Sequence, residues 1–190
     1  MLTAAAQLFE KKGFAATTFS EIAAAAGVGV ATVYKYFGTK EGIVVALLRP
    51  SLGRMIAKGQ RVVDEPPADP VQAVIGLMSV YWDLVREHDW SQREILRLTV
   101  FPGLGAGEAL AQFTKECDAR TQELIHTLLK SLRAAGRVSP RLSLRDATAI
   151  IFALLNQQFG IYLTGDRPDV EHDFKLLTRR IRALFDDWRA

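Results

Sequence analysis

A chain of 190 residues that is 49% hydrophobic and 24% charged is long enough to bury a core, and its composition excludes a disordered, collagen-like or coiled-coil protein. The net charge of +3 argues for no partner by itself, but it is unevenly spread: residues 1–62 hold eight Lys or Arg against three Glu, or +5, and the remaining 128 hold sixteen basic against eighteen acidic residues, or −2. A basic first third on a near-neutral body is the charge layout of a phosphate-contacting module joined to a second function.

Leu2, Ala5, Ala6 and Phe9 line one face of a first helix, which Gly13 stops. This opening has no basic n-region and reaches Glu10, Lys11 and Lys12 without a cleavage-like site, so it does not read as a signal peptide. Thr18-Phe19-Ser20-Glu21 is a capping box, in which hydroxyl and carboxylate satisfy reciprocal backbone N–H groups, and it starts a second helix running to about Ala26. Gly27 breaks that helix. A short third one follows from Val30, with Val33 and Phe37 apolar while Thr32, Tyr34, Lys35 and Tyr36 supply polar atoms. Gly38 ends it, and Thr39 caps a fourth helix that Ile43, Leu47, Leu48, Met55 and Ile56 carry to about Val63. Asp64-Glu65-Pro66-Pro67-Ala68-Asp69-Pro70 is the clearest linker, with Asp69 placed to cap a helix whose first residue is Pro70. Further helices are predicted at about 71–88, 91–100, 106–135, 143–164 and 170–188, with Ser143 and Asp169 as N-caps. The expected fold is all-α with about nine helices: a helix-turn-helix domain over 1–45, a connecting helix over 46–63, and a second helical domain over 71–190.

Ala23 stands four residues before Gly27, and Val33 six after it. Two helices crossing steeply through a tight turn need a side chain no larger than Ala where they touch and Gly where the backbone reverses. Ile22, Val28 and Val33 then form the shared core, and the exposed face of the later helix is free to enter a major groove. A small-residue helical hairpin in any bundle could show the same spacing. The longer string is more specific. Ala5-Ala6, Leu8-Phe9, Gly13-Phe14, Thr17-Thr18, Ile22-Ala23, Ala26-Gly27-Val28, Ala31-Thr32-Val33-Tyr34, Tyr36-Phe37 and Lys40-Glu41 closely resemble the N-terminal signature of tetracycline-repressor (TetR) family regulators over about residues 4–48. The resemblance implies that Thr18 and Tyr34 touch phosphates, that Thr32 and Tyr36 lie near base edges or backbone, and that Lys40 grips a phosphate at the start of the fourth helix. Lys35 is a further backbone candidate. Hydroxyls and an ammonium suit phosphate oxygens, and a Thr methyl can meet a thymine methyl. Departures fall at Gly29, where the family often has Ser, at the apolar Val30, and at Ala31, which is often Gly; base readout is then expected to lean on van der Waals contact and DNA shape. The chain starts almost at the first helix, so no basic arm is expected before it.

The second domain carries no comparable motif. Trp82, Trp90, Phe101, Phe113, His126, Phe152, Asn156, Gln157 and Phe159 are the residues to inspect for a pocket, since such sites are mostly apolar with a few orienting polar groups. Core packing explains each aromatic as readily, and a dimer contact explains Asn156 and Gln157 as well as a ligand does. Val170, Phe174, Leu177, Ile181, Leu184 and Trp188 recur at spacings of 4, 3, 4, 3 and 4, an apolar stripe that one chain need not bury, and the last two helices, 143–164 and 170–188, are expected to form a two-fold, four-helix dimer interface. The lone Cys117 excludes an internal disulfide, and His88, His126 and His172 form no metal spacing. The apolar stretch from Ala147 is too short for a membrane span before Asn156-Gln157-Gln158 interrupts it.

What the resemblance implies is a cytoplasmic homodimeric transcriptional regulator, a repressor that a small, largely apolar effector releases from double-stranded operator DNA, with no catalytic role, cofactor, metal or membrane partner. Two other classes stay open: an effector-independent DNA-binding protein, and a small-molecule-processing enzyme on a regulator's fold.

Overall fold

The computed structural model describes residues 1–86, 95–97, 107–166 and 169–188. Its helices are α1 (Leu2–Lys12), α2 (Phe19–Ala26), α3 (Val30–Phe37), α4 (Lys40–Asp64), α5 (Pro70–Arg86), α6 (Glu108–Ala134), α7 (Leu144–Thr164) and α8 (Val170–Trp188); residues 95–97 are also helical. The expected 91–100 helix lies largely outside the described residues. Short side chains at the predicted positions cap the helix starts. Thr39 Oγ1 accepts from Gly42 N–H at 3.1 Å, Asp69 Oδ1 from Gln72 N–H at 3.0 Å, Ser143 Oγ from Asp146 N–H at 3.4 Å, and Asp169 Oδ1 from His172 N–H at 2.9 Å. α4 runs unbroken through Pro50.

Two compact units are present: Met1–Leu52 with His88–Lys115, and Gly53–Glu87 with Glu116–Ala190. α4 and α6 each contribute residues to both. Ala5, Phe9, Ile22, Ala23, Val33, Ile43, Val44, Leu110 and Phe113 are among the buried residues of the first unit. The guanidinium of Arg49 lies over the ring of Phe113, 5.5 Å from its centroid.

In the second unit α8 packs against α5 and α7. Here the structure corrects two residues of the expected dimer surface. Leu177 and Ile181 are fully buried within the single chain, Phe185 completes the inner face in place of Leu184, and Val170, Phe174, Leu184 and Trp188 are half-buried. Trp82 of α5 donates its indole N–H to the Val170 carbonyl at 2.9 Å and stacks at 5.9 Å on Phe174. The 4-3 spacing required that the stripe be covered, and the chain's own α5 and α7 cover it. A buried polar link fixes α7 against α8: Gln158 Nε2 donates to Asp173 Oδ1 at 2.9 Å, and Arg180 donates to Gln158 Oε1 at 2.8 Å.

The structure also qualifies the expectation about membrane spans. Among the described residues α7 is long and apolar enough to cross a bilayer, by length and composition only. Of that stretch 44% is buried inside the chain. Its outer face leaves apolar residues uncovered. Ile150, Leu154, Gln157, Ile161 and Thr164 follow one another at spacings of 4, 3, 4 and 3, and Ile150 and Ile161 are 40% and 45% exposed.

Candidate nucleic-acid interface

The capping box forms at the start of α2. Thr18 Oγ1 accepts from Glu21 N–H at 3.3 Å, Glu21 Oε2 accepts from Thr18 N–H at 2.9 Å, and the Thr18 hydroxyl donates to the same carboxylate at 2.7 Å. Lys12 of α1 pairs with the other oxygen of Glu21. That lysine, followed by the two donors of Thr18, holds the Glu21 carboxyl down at about 2. The turn that follows is made by Gly27 at φ +66°, a left-handed geometry that a β-carbon disfavours, while Val28 N–H reaches back to the Ala23 carbonyl at 3.0 Å. Ile22, Ala23 and Val33 are fully buried where α2 crosses α3, and Val28 is half-buried beside them.

This crossing turns the remaining side chains of α3 outward. Val30, Tyr34 and Tyr36 are 38%, 53% and 68% exposed, Ala31 and Lys35 are exposed, and Thr32 is half-buried. Tyr34 is held in place by its ring, which packs at 4.2 Å on Phe19 of α2. Gly29 is the N-cap of α3 in extended geometry and supplies no side-chain bond. In the first turn of α3 the N–H groups of Thr32 and Val33 bond the Gly29 carbonyl at 2.9 and 3.4 Å, and the turn lies at the positive end of the helix dipole, which suits a phosphate oxygen. Lys40 sits one loop later in the first turn of α4. Its ammonium donates to the carbonyls of Phe14 at 2.9 Å and Ala15 at 3.1 Å and lies 4.7 Å from the Phe14 centroid. Sequence reasoning placed Thr18 and Lys40 on DNA; the fold gives both an internal task as well, the first closing a cap and the second tying α4 to the α1–α2 loop. The capping box announces the task of Thr18 in the sequence, whereas the tie that Lys40 makes to the α1–α2 loop leaves no sequence signal separate from the DNA-contact pattern.

Of the residues expected to line a pocket, Trp82 and Phe159 meet in the second unit, their ring centroids 5.7 Å apart. Trp90 and Phe101 lie outside the described residues, and Phe113 is buried in the first unit. In the second unit Trp82 is a core residue, ringed by Phe159, Tyr162 and Phe174 at 5.7, 6.1 and 5.9 Å, and its N–H is already bonded. Phe152 and Phe159 are half-buried, whereas His126, Asn156 and Gln157 are exposed. Polar groups that the sequence reading passed over lie deeper: Gln158, Thr121 and Tyr81 are all buried. Gln158 lies next to the two amides that were singled out, but only the phase of the folded helix tells which of the three points inward.

Residues 1–47 match the family described as bacterial regulatory proteins, tetR family. The repressor KstR2 of Mycobacterium tuberculosis is 33% identical over 88 residues, 46% of this chain and 44% of its own length, so the chain matches less than half of that relative. Two solved structures align over nearly the whole chain. The TetR family regulator PfmR of Thermus thermophilus has a TM-score of 0.64 at 21% identity, covering 97% of this chain and 96% of its own. The regulator FadR of Bacillus subtilis, solved in complex with stearoyl-CoA, has a TM-score of 0.74 at 20% identity, covering 95% of each chain. At these identities the structural likeness shows a shared fold.

Proposed function

We propose that this chain, whose residues 1–47 match the family described as bacterial regulatory proteins, tetR family, and which shares the fold of the TetR family regulator PfmR, is a DNA-binding regulator of transcription, a homodimeric repressor released from operator DNA when a small, largely apolar effector occupies its second unit. The observation that carries the DNA-binding part is α3, which buries Val33 completely against α2 and leaves Val30, Tyr34 and Tyr36 exposed. A helix anchored at one residue and bare along the opposite face has the shape required to enter a major groove. Support for an apolar effector comes from the second unit's largely apolar interior, and from the likeness to a regulator that binds stearoyl-CoA. The uncovered stripe of α7 supports dimerisation, because a second copy brings an identical stripe against it. Such a repressor works in the cytoplasm, and no catalytic step belongs to the proposal.

The test begins with an operator recovered by in vitro selection against the purified protein. Binding is expected to be sequence-specific and to weaken steeply with salt. An effector then lowers operator affinity, and by linkage saturating operator lowers effector affinity by the same factor, about 5- to 150-fold. A candidate ligand with equal affinity for free and operator-bound protein is not the effector, and a ligand converted to product would replace the proposal by an enzyme.

A further inference from the structure

Among the described residues nothing uses the ammonium of Lys35. The side chain stands exposed on α3 without a hydrogen bond, ion pair or ring contact, and α3 has no acidic residue to hold it. Lys12 and Lys40 differ, the one paired with Glu21 and the other bonded to the Phe14 and Ala15 carbonyls. The phase of α3 shows where the free ammonium is aimed. Val33 is fully buried and marks the inward direction. At about 3.6 residues per turn, Ala31 and Lys35, two positions to either side of Val33, leave the helix about 160° away from it, on the face opposite the core. Both are exposed, one turn apart. Thr32 and Tyr34, the immediate neighbours of Val33, leave at about 100° to either side.

A major groove about 12 Å wide and about 8.5 Å deep is filled by a helix about 10 to 12 Å across with its side chains. When such a helix enters with its core side outward, its flanking side chains meet the phosphate walls and its far face meets the base edges. Tyr34, fixed by the Phe19 ring at 4.2 Å, stands on a flank, whereas Lys35 stands on the far face. Chemistry then narrows the base. An ammonium has three donors and no acceptor. Guanine shows it two acceptors, O6 and N7, and no donor; adenine sets an amino donor beside its N7, cytosine offers a donor, and thymine sets a methyl beside its O4. Ala31, one turn earlier in the same row, brings a methyl and no polar atom to compete. We infer that Lys35 is a specificity-determining residue and not the backbone contact expected of it: its ammonium donates to O6 and N7 of a guanine in each operator half-site.

The inference rests on the reading of α3 as the helix that enters the major groove, and its test keeps the two apart. In the operator recovered by selection, each guanine of one half-site is replaced in turn by 7-deazaguanine, which keeps its Watson–Crick pairing and lacks only the N7 acceptor. The full-length wild type is expected to lose about fivefold or more in affinity at one of these positions. Lys35→Met keeps the aliphatic stem without the donors and should bind the natural and the substituted operator equally at that position. Lys35→Arg, whose fork also reaches O6 and N7, should restore the difference. A wild type indifferent to every substitution, an operator without a G·C pair in its half-sites, or a difference that survives in Lys35→Met would overturn the inference. In the last case, a slope of log affinity against log salt lowered by about 1.8 per dimer would return Lys35 to the phosphates. Each of these failures leaves sequence-specific binding by α3 standing. A selection that yields no preferred sequence ends that reading itself, and the inference with it.

Discussion

Glu21 does three things with one carboxylate: it closes the cap of α2, accepts the Thr18 hydroxyl, and pairs with Lys12 of α1. Its carboxyl lies at about 2, below the ordinary value of 4.5, so its contribution to stability is complete above that ordinary value and is lost as pH falls through about 2. Glu21→Gln removes this proton linkage. Thermal midpoints followed from roughly pH 5 to pH 2 should fall less steeply in the variant than in wild type, and parallel curves would assign the acid sensitivity to another group. Gly29 permits a gain. A β-carbon there would meet only Thr32 Oγ1, at 3.8 Å, so Gly29→Ser is expected to cap α3, to add a few tenths of a kcal/mol of stability, and to tighten DNA binding through a new hydroxyl. Weaker operator binding would show that the backbone itself needs the space at this position. Lys40 separates its two tasks in one experiment. Lys40→Ala should lower the unfolding midpoint by freeing the Phe14 and Ala15 carbonyls, and should also reduce the slope of log affinity against log salt by about 1.8 per dimer, at roughly 0.9 for each phosphate contact. A lower midpoint with an unchanged slope would leave Lys40 as a clamp within the fold alone.

Helix boundaries were legible in the sequence where their causes are local. Thr18, Thr39, Asp69, Ser143 and Asp169 cap the helices they were expected to cap, because a side chain bonding a backbone N–H two or three residues on needs no help from the rest of the chain. The α2–α3 crossing was legible for a related reason: Ala23, Gly27 and Val33 lie within eleven residues of one another, and their sizes alone fix how closely two helices approach. α8 shows where such reasoning stops. Its stripe states that a face is covered, but the covering residues lie about a hundred positions earlier in α5 and on α7, and no local feature distinguishes them from a partner chain. The surface proposed for a second copy is on α7, where Gln157 and Thr164 interrupt the apolar sequence and hide the 4-3 spacing of Ile150, Leu154 and Ile161. The burial of the α8 stripe within its own chain has a measurable consequence. Ile181→Ala opens a cavity in the chain's own core and should cost about 2 to 5 kcal/mol in chemical denaturation. A loss within about 0.5 kcal/mol, the range of surface substitutions, would return Ile181 to an outer face.

At the scale of the whole molecule, the proposed repressor depends on two copies acting together. One recognition helix covers a half-site, and two must enter successive major grooves about 34 Å apart, so a dimer interface sets the register of both. Coupling two half-site contacts in one body raises avidity about 10²- to 10⁴-fold over either alone, without any new contact to DNA. The outer stripe of α7 is suited to that interface because a two-fold axis places the same patch on both partners, and a row of apolar side chains is complementary to itself. A like charge in the row is not. Ile161, 45% exposed and near the C-terminal end of α7, can become Glu without entering the core of its own chain, so Ile161→Glu should keep the helical content and unfolding cooperativity of the wild type. In the dimer it would set two carboxylates into an apolar contact, with desolvation and repulsion both opposing association. Sedimentation is expected to show monomers, and operator affinity should fall by about the avidity factor, 10² or more. Binding to a single half-site, which needs only one α3, should be unchanged; this separates loss of pairing from damage to the recognition surface. If the variant remains a dimer and binds operator as the wild type does, the two copies meet through a surface other than the stripe of α7.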